Sequence, residues 1–259
     1  MKITSVVNQK GGVGKTTTTV NLGVGLAKKG RHVLLIDLDP QGDLSAYLGI
    51  KSPEFTIAQA LTDIIDDKTP EFSKYIQLND EGVDIIPANL DLAGIELPLA
   101  QALGGQTALK DLISLLEGYE YDEIIIDCPP SLGILTINAL AASTEVIIPV
   151  QTHFFAMKAL TDLIETVERV KRKLNRELSI QGILFTGFEK QTVIGQEVIK
   201  QVMETYKGVY PVFESVIPKA ISTAESPAMG VSMFTYDPNS KVTKAYESLC
   251  EECANGTRT

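Results

Sequence analysis

The chain has 259 residues and a formal net charge of −10, with 44% apolar and 22% charged residues. This is the composition of one larger globular domain, and no stretch approaches the about 20 consecutive apolar residues of a membrane-spanning helix. The acidic balance argues against nucleic-acid binding by the chain as a whole, though not against a local basic patch. The cysteines Cys128, Cys250 and Cys253 are too few and too uneven for a disulfide framework. The first residues show no basic segment, long apolar core or cleavage site, so no signal peptide is expected and the cytoplasm is the expected location.

Strand and helix signals alternate along the chain. Residues 3–8 read as a strand and 16–29 as a helix that Gly30 stops; 32–37 is a second, continuously apolar strand. Such strands are buried on both faces, which implies a parallel sheet. Residues 56–65 have helical spacing with Thr56 as N-cap. Then come strand 83–87, helices 91–103 and 108–116, strand 123–127, helix 132–142, strand 146–150 and the long helix 157–175. Strand 180–188, helix 193–206, strand 212–217 and helix 241–253 complete the series, and 66–73 and 218–238 read as irregular. With no linker or internal repeat, one domain over 1–259 is expected, of α/β class: three layers, a mostly parallel twisted sheet with helices on both faces.

Between the first strand and helix lies Lys10-Gly11-Gly12-Val13-Gly14-Lys15-Thr16-Thr17. Strand, glycine-rich loop, helix is an arrangement that binds phosphate. The glycines Gly11, Gly12 and Gly14 let backbone N–H groups share one concavity, and the helix N-terminus adds partial positive charge. Lys15 would reach the β- and γ-phosphates, and the Thr16 hydroxyl would sit on Mg²⁺. The spacing departs from G-x-x-x-x-G-K-[ST]: five positions before Gly14 stands Gln9, and Lys10 falls inside the loop. Two neighbouring ammonium groups repel unless they meet an anion, which a nucleotide's phosphates would supply.

Acids follow at strand ends, where ligands bind in open α/β sheets. Asp37-Leu38-Asp39-Pro40-Gln41-Gly42 closes the second strand. Beside a bound triphosphate, one carboxylate could organise Mg²⁺ and the other could position the attacking water. Glu123-Ile124-Ile125-Ile126-Asp127 has the form of a Walker B strand, with Asp127 holding a Mg²⁺-bound water, and Cys128-Pro129-Pro130-Ser131 follows. With no base nearby in sequence, Cys128 reads as a packed, inert thiol.

These segments together resemble the ParA/MinD group of deviant Walker A ATPases, and within it the ParA/Soj partition type. K-G-G-V-G-K-T-T, D-L-D-P-Q-G and D-C-P-P-S match that group's phosphate loop and two switches. The resemblance implies a P-loop ATPase fold, ATP and Mg²⁺ as ligands, and a nucleotide-sandwich homodimer in which Lys10 reaches the partner's phosphates. It implies that Asp39 orients the hydrolytic water, that Asp37 supports Mg²⁺ or the loop, and that Val13 and Thr17 join the phosphate contacts. Residues 182–188 and 217–227 resemble the adenine-side segments, with Thr186 and Pro218 as base-pocket candidates. Partners implied are nonspecific double-stranded DNA and a ParB-like adaptor that stimulates hydrolysis; no membrane is expected. Where many chromosomal relatives carry DNA-binding arginines, this chain has Gln191 and Ser222, leaving Lys190 and Lys219, with Lys241 and Lys244 as further DNA candidates. The run R-V-K-R-K-L-N-R at 169–176 reads first as a solvated helix face balanced by Glu165 and Glu168.

Two alternatives share the loop. A MinD-like positioning ATPase on a membrane or protein scaffold would use an amphipathic C-terminal helix, whereas the end here is acidic. An iron–sulfur carrier would use Cys250 and Cys253, which read instead as solvated tail cysteines. His32 and His153 read as structural.

Overall fold

The computed structural model describes residues 1–152, 156–189 and 192–255. Its elements begin with β1 (Lys2–Val6), α1 (Lys15–Lys28), β2 (Val33–Asp37), α2 (Asp43–Tyr47), α3 (Ile57–Ile65), α4 (Phe72–Tyr75), β3 (Gln77–Leu78) and β4 (Asp84–Ile86). There follow α5 (Asp91–Gly94), α6 (Glu96–Gln101), α7 (Ala108–Ser114), a 3₁₀ turn (Glu117–Tyr119), β5 (Glu123–Asp127), α8 (Ile134–Ala142) and β6 (Glu145–Gln151). The last are α9 (Ala156–Lys173), β7 (Ser179–Phe188), α10 (Val193–Tyr206), β8 (Val212–Pro218), α11 (Ser222–Met229), α12 (Met233–Tyr236) and α13 (Lys241–Asn255).

The strands form one sheet in the order β3-β4-β2-β5-β1-β6-β7-β8, parallel except where β3 meets β4. Every residue of β2 and β5 is buried, so each strand feeds both faces alternately. Leu34, Ile36, Ile124 and Ile126 join one core with Leu61 of α3, Leu112 of α7, Leu135 of α8, Leu163 of α9 and Val202 of α10. Leu35 and Ile125 join the other, with Val20 and Val24 of α1, Leu44 of α2, and Val242, Tyr246 and Leu249 of α13. The sheet is thus covered on both faces. β1 lies at its centre, so the loop after β1 opens at the carboxyl edge between β5 and β6.

Local chemistry sets most element ends. Thr56 caps α3 as expected: its hydroxyl accepts from the Ala58 N–H, while Gln59 Oε1 accepts from the Thr56 N–H at 2.8 Å. The expected helix 91–103 is instead two, α5 and α6, and ends at Gln101. Pro98 has no N–H for the Gly94 carbonyl, which interrupts the ladder, and it sits within the first turn of α6 where proline is tolerated. The stretch 218–238, expected to be irregular, holds α11 and α12; α11 tolerates Pro227 near its end and stops at Gly230, whose φ is 73°. Likewise α4 begins inside 66–73, and α2 and β3 are elements the apolar pattern did not mark.

Cys250 and Cys253 are not solvated. They lie on the apolar face of α13, 0% and 6% exposed, and α13 packs against α1 and β8. Cys250 Sγ donates to the Leu22 carbonyl of α1 at 3.7 Å, and burial pushes this thiol up to about 12 and Cys253 higher still. Among the described residues no helix is long and apolar enough to cross a membrane.

The α1–α13 contact leaves no room for a side chain at Gly25, where an added Cβ would lie 2.5 Å from Cys250 Sγ and 2.9 Å from Phe234 Cζ. Gly25→Ala should therefore destabilise by about 1–3 kcal/mol in denaturant unfolding, overriding the better helix propensity of alanine. Adding Cys250→Ala should recover part of that loss; strictly additive losses would contradict the contact.

Candidate functional site

The loop between β1 and α1 is shaped by its own backbone and by two braces. Asn8 donates through Nδ2 to the Pro149 carbonyl at 2.7 Å and accepts the Lys10 N–H at 2.9 Å. This side chain ties the start of the loop to the end of β6. Thr186 of β7 donates to the Val13 carbonyl at 2.8 Å and holds the middle of the loop. Gly14 is the N-cap of α1 at φ 83°, a left-handed conformation that glycine adopts without strain, and no side chain caps the helix. The first N–H groups of α1 therefore point out of the loop toward any anion seated there. Lys15 is only 7% exposed, Lys10 is half-buried, and neither forms an ion pair among the described residues.

Asp37 and Asp127 are register partners at the ends of β2 and β5. Adjacent strands are about 4.8 Å apart, and two ionised carboxylates at that separation repel by about 3 kcal/mol at an effective dielectric of 20. Both are buried. Desolvation raises the Asp127 carboxyl well above the usual carboxylate range, and the charge of Asp37 adds to it; the Thr16 hydrogen bond and the charge of Lys15 oppose the rise. Desolvation likewise pushes Asp37 up to about 7, against the hydrogen bonds of Ser45.

Each acid is held by a different segment. Thr16 Oγ1 donates to Asp127 Oδ2 at 2.6 Å, and Thr19 Oγ1 to Oδ1 at 3.4 Å. Asp37 Oδ2 accepts both the Ser45 N–H at 2.8 Å and the Ser45 hydroxyl at 2.7 Å, and Oδ1 accepts the Asp39 N–H at 3.2 Å. These bonds tie Asp37 to the backbone of the loop after β2 and to α2. The Ser45 hydroxyl also accepts the Ala88 N–H at 3.0 Å, which joins α2 to the loop after β4. Gly42, at φ 68°, fits this clamp because a Cβ there would meet the Ala88 carbonyl oxygen at 3.0 Å. Asp39 is 7% exposed; its Oδ1 accepts the Gln41 N–H at 3.0 Å, which leaves Oδ2 to accept from another donor.

The Thr16 hydroxyl and the Asp127 carboxylate are hard oxygen donors, the kind Mg²⁺ takes together with phosphate oxygens and water. The glycine loop, the buried Lys15 and these oxygens fit a Mg²⁺-triphosphate.

Beside the loop lies a cavity of about 270 Å³, lined by Gly12, Thr17, Thr186, Pro218, Thr223 and Tyr246 among others. Thr186 and Pro218 thus share one cavity with the phosphate loop, although the Thr186 hydroxyl is already used by Val13. Lys219 sits at its rim, paired with Glu189 at 2.6 Å. Lys241 and Lys244 are exposed on the first turns of α13. Lys190, Gln191 and His153 lie outside the described residues. Cys128 is buried, and desolvation raises its thiol far above the ordinary value, which suits packing.

Several residues that organise the site were not singled out from the sequence. Asn8 had a readable signal, the preference of Asn for turns that bond their own backbone two residues on. Ser45, Thr19 and Ala88 had none, because their partners are distant in sequence. Asn21, by contrast, closes the Thr18-x-x-Asn21 pattern that also resembles the ParA group; its Nδ2 donates to the Thr17 carbonyl at 2.8 Å and its Oδ1 accepts the Met233 N–H at 2.8 Å, linking α1 to α12.

Residues 1–180 match the protein family described as "AAA domain". The chain is 42% identical over 256 residues to the sporulation initiation inhibitor protein Soj of Bacillus subtilis, covering 98% of this chain and 99% of that protein. It is 37% identical over 259 residues to the chromosome partitioning protein ParA of Caulobacter vibrioides, covering 100% and 96%. A solved structure from Mycobacterium smegmatis, named cobyrinic acid a,c-diamide synthase and holding an ATP analog and magnesium, superposes with a TM-score of 0.85 at 33% identity, covering 100% of both chains.

The buried acid pair makes a signed prediction for the nucleotide-free protein. Asp37 has a folded value of about 7 against an ordinary 3.8, so between those values the folded state holds a proton that the unfolded state has released. Stability from this group is therefore lost as pH rises from about 4 to about 7. In Asp37→Asn that loss is absent, so the stability of the variant relative to the parent should climb over this window, by at most about 4 kcal/mol. Urea unfolding at a series of pH values checks it; a difference independent of pH would contradict the burial of an ionisable Asp37.

Proposed function

The chain belongs to the Soj/ParA family of chromosome-partitioning P-loop ATPases, and from that premise we propose that it is an ATP-dependent DNA partition ATPase. ATP and Mg²⁺ bind at the phosphate loop, and two chains pair face to face across their loops as a nucleotide-sandwich homodimer. The pair holds double-stranded DNA without sequence preference, and an adaptor of the ParB type stimulates hydrolysis and releases it. The observation that carries the reading is the meeting of the buried Lys15, the Thr16–Asp127 hydrogen bond and the clamped Asp39 loop at one edge of the sheet.

Each residue has work that follows from its place. The N–H groups of the loop and of the first turn of α1 receive phosphate oxygens, and Lys15 neutralises them from within the fold. Lys10, held less tightly through its backbone bond to Asn8, serves the partner's phosphates. When bound, Mg²⁺ draws charge off the phosphates, and Thr16 and Asp127 would hold it directly or through water. Asp39 Oδ2 accepts a hydrogen bond from the attacking water and orients it. Asp37 and Ser45 position Asp39 through its backbone. Hydrolysis then depends on placement and charge neutralisation, as in other phosphoryl-transfer sites.

Two features weigh against the alternatives. The apolar face of α13 that a membrane-surface ATPase would lay on lipid is buried against α1 and β8. The thiols of Cys250 and Cys253 are in that same core, where desolvation keeps them protonated and away from the nucleotide edge.

The test is binding of a labelled nonspecific duplex with ATP against ADP, alongside ATP turnover, for the parent, Asp39→Ala and Lys15→Ala. Asp39→Ala should lose hydrolysis by about a hundredfold or more and prolong the ATP-dependent DNA complex. Lys15→Ala should lose both nucleotide binding and the ATP-dependent increment. Equal DNA binding in ATP and ADP, or full turnover in Asp39→Ala, would contradict the reading.

A further inference from the structure

The largest concentration of positive charge lies far from the phosphate loop. Arg169, Arg172 and Lys173 are exposed on one face at the end of α9, and Arg176 is exposed in the turn that follows. The sequence pattern suggested that Glu165 and Glu168 balance them. Among the described residues, however, no Asp or Glu oxygen comes within 4.0 Å of these four groups. Glu168 instead accepts from the Tyr210 hydroxyl at 3.4 Å, and the exposed Glu177 next to Arg176 makes no ion pair either. The end of a helix carries only about half a negative charge, so the macrodipole of α9 leaves more than three of the four cations uncompensated.

The turn that presents Arg176 is built to hold its shape. Asn175 is 7% exposed; its Nδ2 donates to the Ser143 carbonyl at 2.6 Å and to the Leu140 carbonyl at 3.2 Å. Its Oδ1 accepts the Glu177 N–H at 3.3 Å. The patch is therefore anchored to the end of α8.

Its position sets its use. Near its start α9 touches the phosphate loop, where Gln9 Nε2 donates to the Ala159 carbonyl at 3.2 Å. Its far end is fixed beside Ser143 and Thr144, at the amino edge of the sheet. The 18 residues of α9 span about 27 Å, so the patch and the nucleotide edge are at opposite poles.

We propose that this patch is a second nucleic-acid contact, a phosphate-binding surface for duplex DNA that works whether or not nucleotide is bound. The proposal deepens the DNA-binding reading above and rests on it for the choice of polyanion. Arginine forks suit phosphate, and duplex DNA presents one charge per about 1.7 Å of axis, dense enough to meet the whole row. A lipid surface fits less well, because none of the exposed large apolar side chains belongs to α9 or its turn.

The experiment measures a labelled nonspecific duplex against the full chain in ADP over 50–200 mM salt. The parent is compared with a quadruple variant (Arg169→Gln, Arg172→Gln, Lys173→Gln, Arg176→Gln), a charge-keeping variant (the three arginines to Lys) and a remote variant (Lys51→Gln, Lys68→Gln, Lys110→Gln), whose lysines are exposed outside the patch. The parent and the remote variant should bind weakly and lose about a hundredfold in affinity across that salt range. The Lys variant should bind with a similar salt slope and the quadruple variant with almost none. An absence of salt-sensitive binding in ADP, or equal binding by the quadruple variant, would overturn the proposal. So would tighter binding to vesicles of anionic lipid than to duplex. The ATP-dependent increment separates this from the partition reading: it should survive in the quadruple variant, and its absence from the parent would count against partition alone.

Discussion

Two carboxylates buried side by side are the constraint around which the site is arranged. Asp37 and Asp127 end neighbouring strands in the same register. Without opposing groups they could not both be charged at neutral pH. The chain answers with donors from two separate segments: Thr16 and Thr19 from α1 for Asp127, and Ser45 with the Asp39 N–H for Asp37. The pair is thus the place where the phosphate-loop helix and the loop carrying Asp39 meet. Thr16 contacts Asp127, whose register partner Asp37 in turn holds the Asp39 N–H.

Much of this was legible in the sequence because it depends on local chemistry or on simple periodicity. The apolar runs at β2 and β5 announced strands buried on both faces, and the glycine-rich loop announced α1 by its place between a strand and a threonine run. The two switch acids stood at strand ends, where the sheet's topology puts ligands. Other parts were visible but outweighed: Pro98 marks the break between α5 and α6, yet the apolar spacing on either side suggested one helix. The stretch 218–238 failed in the opposite direction, since it read as irregular while it folds into two short helices, α11 packed on α2 and α12 on α1 and α11. The burial of Cys250 and Cys253 was not legible, because it depends on α13 docking on α1, a contact between the two ends of the chain. Ser45 is the instructive omission. Nothing in its neighbours distinguishes it from a surface serine, and its role appears only once Asp37 and Ala88 are placed around it.

On the partition function proposed above, the charge layout would let an acidic chain serve a polyanionic partner. Among the positive groups, Lys10 and Lys15 stand at the nucleotide edge, Lys241 and Lys244 on α13, and the α9 patch at the opposite pole. Lys219, one of the candidates from the sequence, is tied to Glu189. Pairing two chains through their loops would cover Lys10 and Lys15 with phosphates and leave the other groups at the surface. Contacts that are weak singly then act together, because linked sites bind at high effective concentration. Control by nucleotide would follow from assembly, with no change in the DNA-facing residues themselves.

On the function proposed above, ATP decides through Lys10 whether two chains pair. Sedimentation of the Asp39→Ala protein with Mg²⁺ and either ATP or ADP, repeated with Lys10→Ala added, tests it most directly. Twice the chain mass is expected with ATP, single-chain mass with ADP, and single-chain mass with either nucleotide once Lys10 is removed. The same mass in ATP and ADP, or undiminished pairing without Lys10, would contradict it.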